Sequence, residues 1–395
     1  MLVTATLQPI VGEVDPREAA LPYEAPARIW RAAQRLYATG TQPAMTLCVR
    51  RRGQVILNRA LGFAREGVPA TPETPFCIFS VSKAVTAMII HMLDGRNLLR
   101  IDDRVGFYIP EFAKRGKERM TIRHVLTHRA GIPSLAGHAD INLLADWERI
   151  LALLCETKPV WAPGRRLAYH AITGGYVLGE IVRRVTGKDI RTVLREEISD
   201  RLGFEWFGYG VRPDQVTKVA ENRFTGTPVP PALSLLVKRS LGVRFEDAVA
   251  ISNDARYLTA IVPSGNVIAT ANEVSAFFQT LLDGGVYDGI RIFDPRTVQR
   301  ALTESSYLEM DLTLGLPARY GLGVMLGADH LSMFGPNTPQ AFGHYGFINV
   351  IGWADPQRKL SAALLTSGKP FLGPHLLALW KLLATIADAC PPLHS

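Results

Sequence analysis

Segments patterned as β-strands lie towards the two ends of this chain of 395 residues, and helical periodicity fills the stretch between them. A strand must find partners, so this order predicts a sheet assembled from both ends of the chain, with a helical body inserted between its halves. An amphipathic helix is expected over 24–38, with Ile29, Ala32, Ala33, Leu36 and Tyr37 on one face. The run MTLCVRRRGQVILNRALGFA follows; its two β-rich halves flank Arg52-Gly53, which predicts a hairpin. Helices are expected over 80–95, stopping near Gly95, then over 123–128, 143–157 and 173–187, and later over 272–283 and 374–388. Strands are expected at 320–327, 347–353 and 360–366. Residues 210–250 are Pro-rich and take no assignment; a lid, a linker or a buried loop all fit. The expected division is an α/β domain from 1–79 and 265–395 and a helical subdomain from 80–264. A cleft between two such units suits a small molecule.

Apolar residues make up 47% of the chain and charged residues 20%, a balance that excludes bulk disorder. The net charge of +8 raises the question of a polyanion partner. The densest basic groups are Arg50, Arg51 and Arg52, then Lys114, Arg115, Lys117 and Arg119. Neither interleaves with aromatic residues as single-strand binding favours, so a solvated basic surface is expected and no nucleic acid. Cys48, Cys77, Cys155 and Cys390 lie far apart, which argues against a zinc ribbon or a disulfide framework and for reduced thiols. The opening MLVTATLQPIVGEVD has no basic segment before its apolar residues and meets acids early, so no signal peptide is expected and the location implied is cytoplasmic. No apolar run reaches the ~18 residues of a membrane span.

Three short motifs carry chemistry. Ser80-Val81-Ser82-Lys83 opens an apolar helix after the β-like run Phe76–Phe79. Residues three apart share a helix face, so Lys83 lies beside Ser80. A serine hydroxyl is a poor nucleophile until a base takes its proton, and a desolvated lysine can do so. Alone, the pattern is short enough to arise by chance, and a serine N-cap is the plain alternative. Tyr169 follows the Pro163-Gly164 turn and precedes a helix; held near a lysine it could serve as a base, or it is a packed loop tyrosine. His344-Tyr345-Gly346-Phe347 leads a β-like run to Trp353, where a backbone N–H could complete an oxyanion hole with that of Ser80.

Taken in this order, the three motifs resemble the serine β-lactamase and penicillin-binding-protein superfamily, for which S-x-x-K is a known signature. The segments TPFCIFSVSKAVTAMIIHML, MTIRHVLTHRAGIP, GGYVLGEIVRRVTGK and FGHYGFINVIGWADP look like its class C branch, most like the family VIII carboxylesterases. The similarity runs from about 25 to 388. It implies an antiparallel sheet flanked by helices, with the inserted helical subdomain. It implies Ser80 as nucleophile, Lys83 as its partner and Tyr169 as general base and later acid. It further implies an oxyanion hole from the N–H groups of Ser80 and Phe347, with His344, Tyr345 and Gly346 near the substrate; His170, as the neighbour of Tyr169, could equally touch the substrate or point into the fold. No cofactor and no metal are implied. Two departures tilt the substrate from a lactam to an ester: Ala171 stands where the family has the Asn of Tyr-x-Asn, and His344 where it has the Lys of Lys-Thr/Ser-Gly. Neutral His is a poor anchor for a substrate carboxylate. The expectation is a carboxylesterase acting on a small ester through an acyl-enzyme. A β-lactamase or D-amino-acid peptidase, an acyltransferase and a non-catalytic binding protein are the rivals.

Two further patterns point elsewhere but are incomplete. His124 and His128 have metal-ligand spacing but lack the accompanying Glu, and Gly321-x-Gly323-x-x-x-Gly327 has the wrong spacing for a dinucleotide loop. No G-x-S-x-G occurs, which disfavours a nucleophile elbow.

Overall fold

The computed structural model describes residues 12–134, 140–231, 234, 238, 242–330 and 332–393. The expected absence of a signal peptide concerns residues that fall largely outside this range. The principal helices are α1 (Ala25–Tyr37), α2 (Ser82–Gly95), α3 (Thr173–Thr186), α4 (Phe245–Ile251), α5 (Ala271–Leu282) and α6 (His375–Ala389). The main sheet is built from β1 (Ala44–Arg51), β2 (Gln54–Arg65), β3 (Val68–Pro69), β4 (Ser306–Asp311), β5 (Leu316–Tyr320), β6 (Met325–Leu326), β7 (Phe342–Tyr345), β8 (Ile351–Asp355) and β9 (Leu360–Thr366). Their spatial order is β4-β5-β6-β7-β8-β9-β1-β2-β3, antiparallel throughout. The seam between the chain's two ends is the β1–β9 ladder, running from Met45 opposite Thr366 to Arg51 opposite Leu360.

The hairpin forms where the turn chemistry places it. Arg52 and Gly53 both have positive φ (53° and 80°), the left-handed pair that a two-residue hairpin needs. Every residue of β1 is buried, because both faces of the sheet are covered. Met45, Leu47 and Val49 pack with Ile29 and Leu36 of α1 and with Leu382 and Ile386 of α6. Ala44 and Cys48 turn the other way, into the core that holds Val274 and Phe278 of α5. This is the period-two alternation of a central strand. Trp353 of β8 is fully buried in the first of these layers. Trp353→Ala is expected to cost about 3–5 kcal/mol of stability, read as a lower denaturant midpoint at unchanged slope.

The structure departs from the sequence expectations at several places. The helix expected over 143–157 is two helices, Ile141–Ala145 and Trp147–Glu156, split where Asp146 leaves the helical conformation and accepts the Arg149 amide as an N-cap (3.1 Å). The strand expected at 320–327 breaks after Tyr320, because Gly323 (φ 106°) presses its backbone onto α2; a Cβ there would lie 2.3 Å from the Ala87 Cβ. The strand expected from 347 begins only at Ile351. Strand β4 and the helix Pro295–Ala301 had no counterpart in the sequence pattern. Within 210–250, the described residues form a 3-10 turn over Pro213–Lys218, a short strand Arg223–Phe224 and α4.

The basic groups are not simply surface. Arg50 and Arg51 are buried, Arg50 against Ser275 and Asn272 and Arg51 against the carbonyls of Arg358 and Pro391. Lys117 is buried too and donates to the carbonyls of Cys155 and Thr157. These cations tie chain segments together. All four cysteines are buried and free. No described helix is long and apolar enough to cross a membrane.

Candidate active site

Ser80 sits in the 3-10 turn Phe79–Val81 that leads into α2. Two features fix this turn. The Ile78 amide bonds the Val267 carbonyl (2.9 Å), and Phe79 takes a positive φ of 47°. A bulky residue in that region is strained, and such strain persists only where the surroundings impose it. One helical turn on, Lys83 places its Nζ 3.0 Å from Ser80 Oγ. Its two other partners are the carbonyls of Ala171 (2.8 Å) and Ser264 (2.9 Å). Burial holds the amine well below the ordinary lysine range. A neutral amine has two N–H donors and one lone pair. Both carbonyls can only accept, so they claim the donors and leave the lone pair to the serine hydroxyl.

Tyr169 closes the third side. Its ring lies 4.8 Å from Lys83 Nζ, and the Ser80 side chain works to lower the pKa of its phenol. Burial raises the phenol's pKa, and Asp311 adds to this, against the pull of Ser80. Asp311 had no signal in the sequence. It is fully buried, and its Oδ1 accepts the amides of Tyr169 (3.0 Å), Thr313 (2.9 Å) and Leu314 (3.0 Å). It thereby locks the tyrosine to the β4–β5 hairpin. His128 packs against the Tyr169 ring (4.7 Å between centroids) and accepts the His170 amide on Nδ1 (3.2 Å). Its partner in the metal-like spacing, His124, accepts the Thr121 amide in a capping box. Among the described residues no cluster could hold a metal.

Ser80 opens onto a pocket of about 400 Å³. Tyr169, His344, Tyr345, Gly346 and Phe347 all line it. Its walls are largely apolar and include Leu316, Met325, Met333, Val243, Ile251 and Phe347. No Asp, Glu, Lys or Arg lines it among the described residues. His344 is buried, with Nδ1 2.6 Å from the Tyr345 carbonyl, and burial draws its pKa down to about 3, so it is neutral. Gly346 lets the end of β7 close on the nucleophile segment, since a Cβ there would lie 2.6 Å from the Ile78 carbonyl. His170, a candidate for substrate contact, does not line this pocket. It is buried next to His128 and faces a separate cavity of about 30 Å³ behind Lys83.

Comparison with known proteins supplies the context. A family profile described as Beta-lactamase matches residues 31–385. The chain is 30% identical over 372 residues to the Esterase/beta-lactamase LipL of Mycobacterium tuberculosis, covering 90% of this chain and 82% of that protein. It superposes on a penicillin-binding protein homologue from Caulobacter crescentus with a TM-score of 0.81 and 28% identity, covering 93% of this chain and 98% of that one. A family VIII carboxylesterase superposes with a TM-score of 0.79 and 24% identity, covering 91% and 96% of the two chains.

Proposed function

We propose that this chain, which belongs to the beta-lactamase family and carries its fold, is a carboxylesterase that cleaves small, uncharged esters through an acyl-enzyme on Ser80. The family makes it a serine hydrolase; the ester preference is the further step. One observation carries it: the pocket around Ser80 is apolar and has no cation among its described lining residues. β-Lactams and D-alanyl peptides present a carboxylate, which would be desolvated here without a partner, at a cost of several kcal/mol. An ester brings no such charge. The name of the mycobacterial relative, esterase as well as β-lactamase, is in keeping with this.

In the proposed mechanism Ser80 Oγ attacks the ester carbonyl as its proton passes to the Lys83 lone pair. The N–H groups of Ser80 and Phe347 receive the developing oxyanion. Tyr169, kept protonated by burial, donates its proton to the departing alcohol and regains one from the Lys83 ammonium. Water then attacks the acyl-enzyme by the reverse sequence. The family resemblance had cast Tyr169 as the base and later acid. Its raised pKa and the lowered one of Lys83 favour the lysine as the base.

The test is a panel of p-nitrophenyl esters of rising acyl length beside a chromogenic cephalosporin and a D-alanyl-D-alanine peptide. Burying one methylene is worth about 0.8 kcal/mol, so kcat/KM is expected to rise about fourfold per added carbon until the pocket is filled. The cephalosporin and the peptide are expected to trail the best ester by at least ~10³-fold. Comparable turnover of either would overturn the ester assignment.

A further inference from the structure

Another buried lysine, Lys369, lies near the site and takes no part in the chemistry above. Lys369 follows β9 in the strand Gly368–Lys369 and is fully buried. Its Nζ bonds the Thr366 carbonyl at 2.7 Å and reaches the Ile348 carbonyl at a longer 3.5 Å. The same atom sits 4.8 Å over the Phe79 ring. Those contacts fall on the two segments that would form the oxyanion hole.

Both segments are strained. Phe79, directly before Ser80, has φ 47°; Ile348 and Asn349, directly after Phe347, have φ 49° and 58°. Left-handed backbone is a marked outlier for β-branched Ile348. Strain of this kind persists only where neighbours impose it. The neighbours are identifiable. Gly346 N–H bonds the Val350 carbonyl (2.7 Å), Thr366 Oγ1 bonds the Asn349 carbonyl (3.1 Å), and Lys369 reaches the Ile348 carbonyl just before it. The Phe79 and Phe347 rings also touch, 5.5 Å between centroids. Lys369 meets both sides, one through its donor and the other through the cation–π contact.

We infer that Lys369 is a positioning residue that holds the Phe79–Ser80 turn and the Phe347–Asn349 turn in register, so that their two N–H groups converge on the transition-state oxyanion. The inference rests on the esterase reading of Ser80. Burial lowers the Lys369 pKa to about 7, against a small opposing influence of the Cys77 thiol. Ammonium and amine both keep N–H donors for the Thr366 and Ile348 carbonyls, but the cation–π contact with Phe79 needs the ammonium, so the hold on the Phe79 side is strongest below that pKa.

Because the hole binds the transition state more tightly than the substrate, misplacing it lowers kcat and leaves KM in place. Loss of one oxyanion donor costs about 10²–10³-fold, and a displaced hole should lose less. In the full-length chain, Lys369→Met is expected to lower kcat on p-nitrophenyl butyrate about 10–100-fold per active site counted with a fluorophosphonate, with KM within twofold. Thr366→Val, which removes the hydroxyl bond to the same turn, is expected to shift kcat in the same direction, and it carries the test if Lys369→Met does not fold. A kcat within twofold of wild type in the folded variant overturns the inference, as does a loss expressed in KM or only in the count of active sites. If Ser80→Ala also keeps activity, it is the esterase reading that has failed; if Ser80→Ala is dead and Lys369→Met is not, only this inference has.

Discussion

Ser80→Ala is expected to lower ester hydrolysis by at least ~10⁴-fold and to abolish covalent labelling by a fluorophosphonate. The size follows from what is lost. Lys83, Tyr169 and the proposed oxyanion N–H groups can stabilise charge only where an attacking oxygen generates it, and without Oγ the remaining rate comes from binding and from solvent water. The substitution removes one oxygen from a partly exposed turn, so the folded state should be unaffected. Intact mass spectrometry after fluorophosphonate treatment reads the adduct directly. A variant that still turns over esters at the wild-type rate would move the nucleophile elsewhere.

The second large effect is expected at Lys83. Replacing it by Met, which keeps the stem and removes the amine, should lower kcat/KM about 10²–10⁴-fold. The pH profile carries the sign. The competent form is the neutral amine, and burial sets its pKa well below the usual 10.5. The wild-type rate should therefore fall as pH drops through that lowered value and the lone pair is protonated. In Lys83→Met that acid limb should vanish from the residual activity. Stability moves the other way. The folded pKa lies below the unfolded one, so the unfolded chain binds the proton more readily and burial of this group weakens the fold below the unfolded pKa. Lys83→Met should thus melt at the same or a higher temperature at neutral pH while being nearly inactive, the separation expected of a group kept for chemistry. A lower melting temperature with preserved kcat/KM would assign Lys83 a structural part instead.

What the sequence made legible follows from how local each signal was. Ser80 and Lys83 are one helical turn apart, so their meeting was implicit in the spacing, and the Arg52-Gly53 turn announced its hairpin. Tyr169 is far from both in sequence and could be placed beside them only through the resemblance. Asp311 and Lys369 had no such aid. Asp311 matters because its carboxylate accepts the Tyr169 amide across 142 residues, and Lys369 because it reaches back to Phe79. Neither relation leaves a periodic trace. The failed strand at 347 has a different origin: Phe347, Ile348 and Val350 have β propensity, but the backbone spends these residues on a strained turn. His170 shows the limit of adjacency. It neighbours Tyr169 in the chain, yet its ring faces the opposite side of Lys83.

The β1–β9 ladder has a consequence for how the protein comes into being. Met45 pairs with Thr366 and Arg51 with Leu360, so the middle of the sheet joins segments about three hundred residues apart. During synthesis, β1 and β2 emerge early as a hairpin whose outer edge stays open until the last strands leave the ribosome. At about 5–20 residues per second, that interval is tens of seconds. Throughout it an apolar strand edge is unpaired, and such edges invite association with other chains. Folding to the active state must then be late and largely concerted, because Phe347 and its supporting turn arrive with those last strands. Poor yield on fast overexpression, relieved by slower translation or a chaperone that shields the hairpin, is the behaviour this connectivity implies.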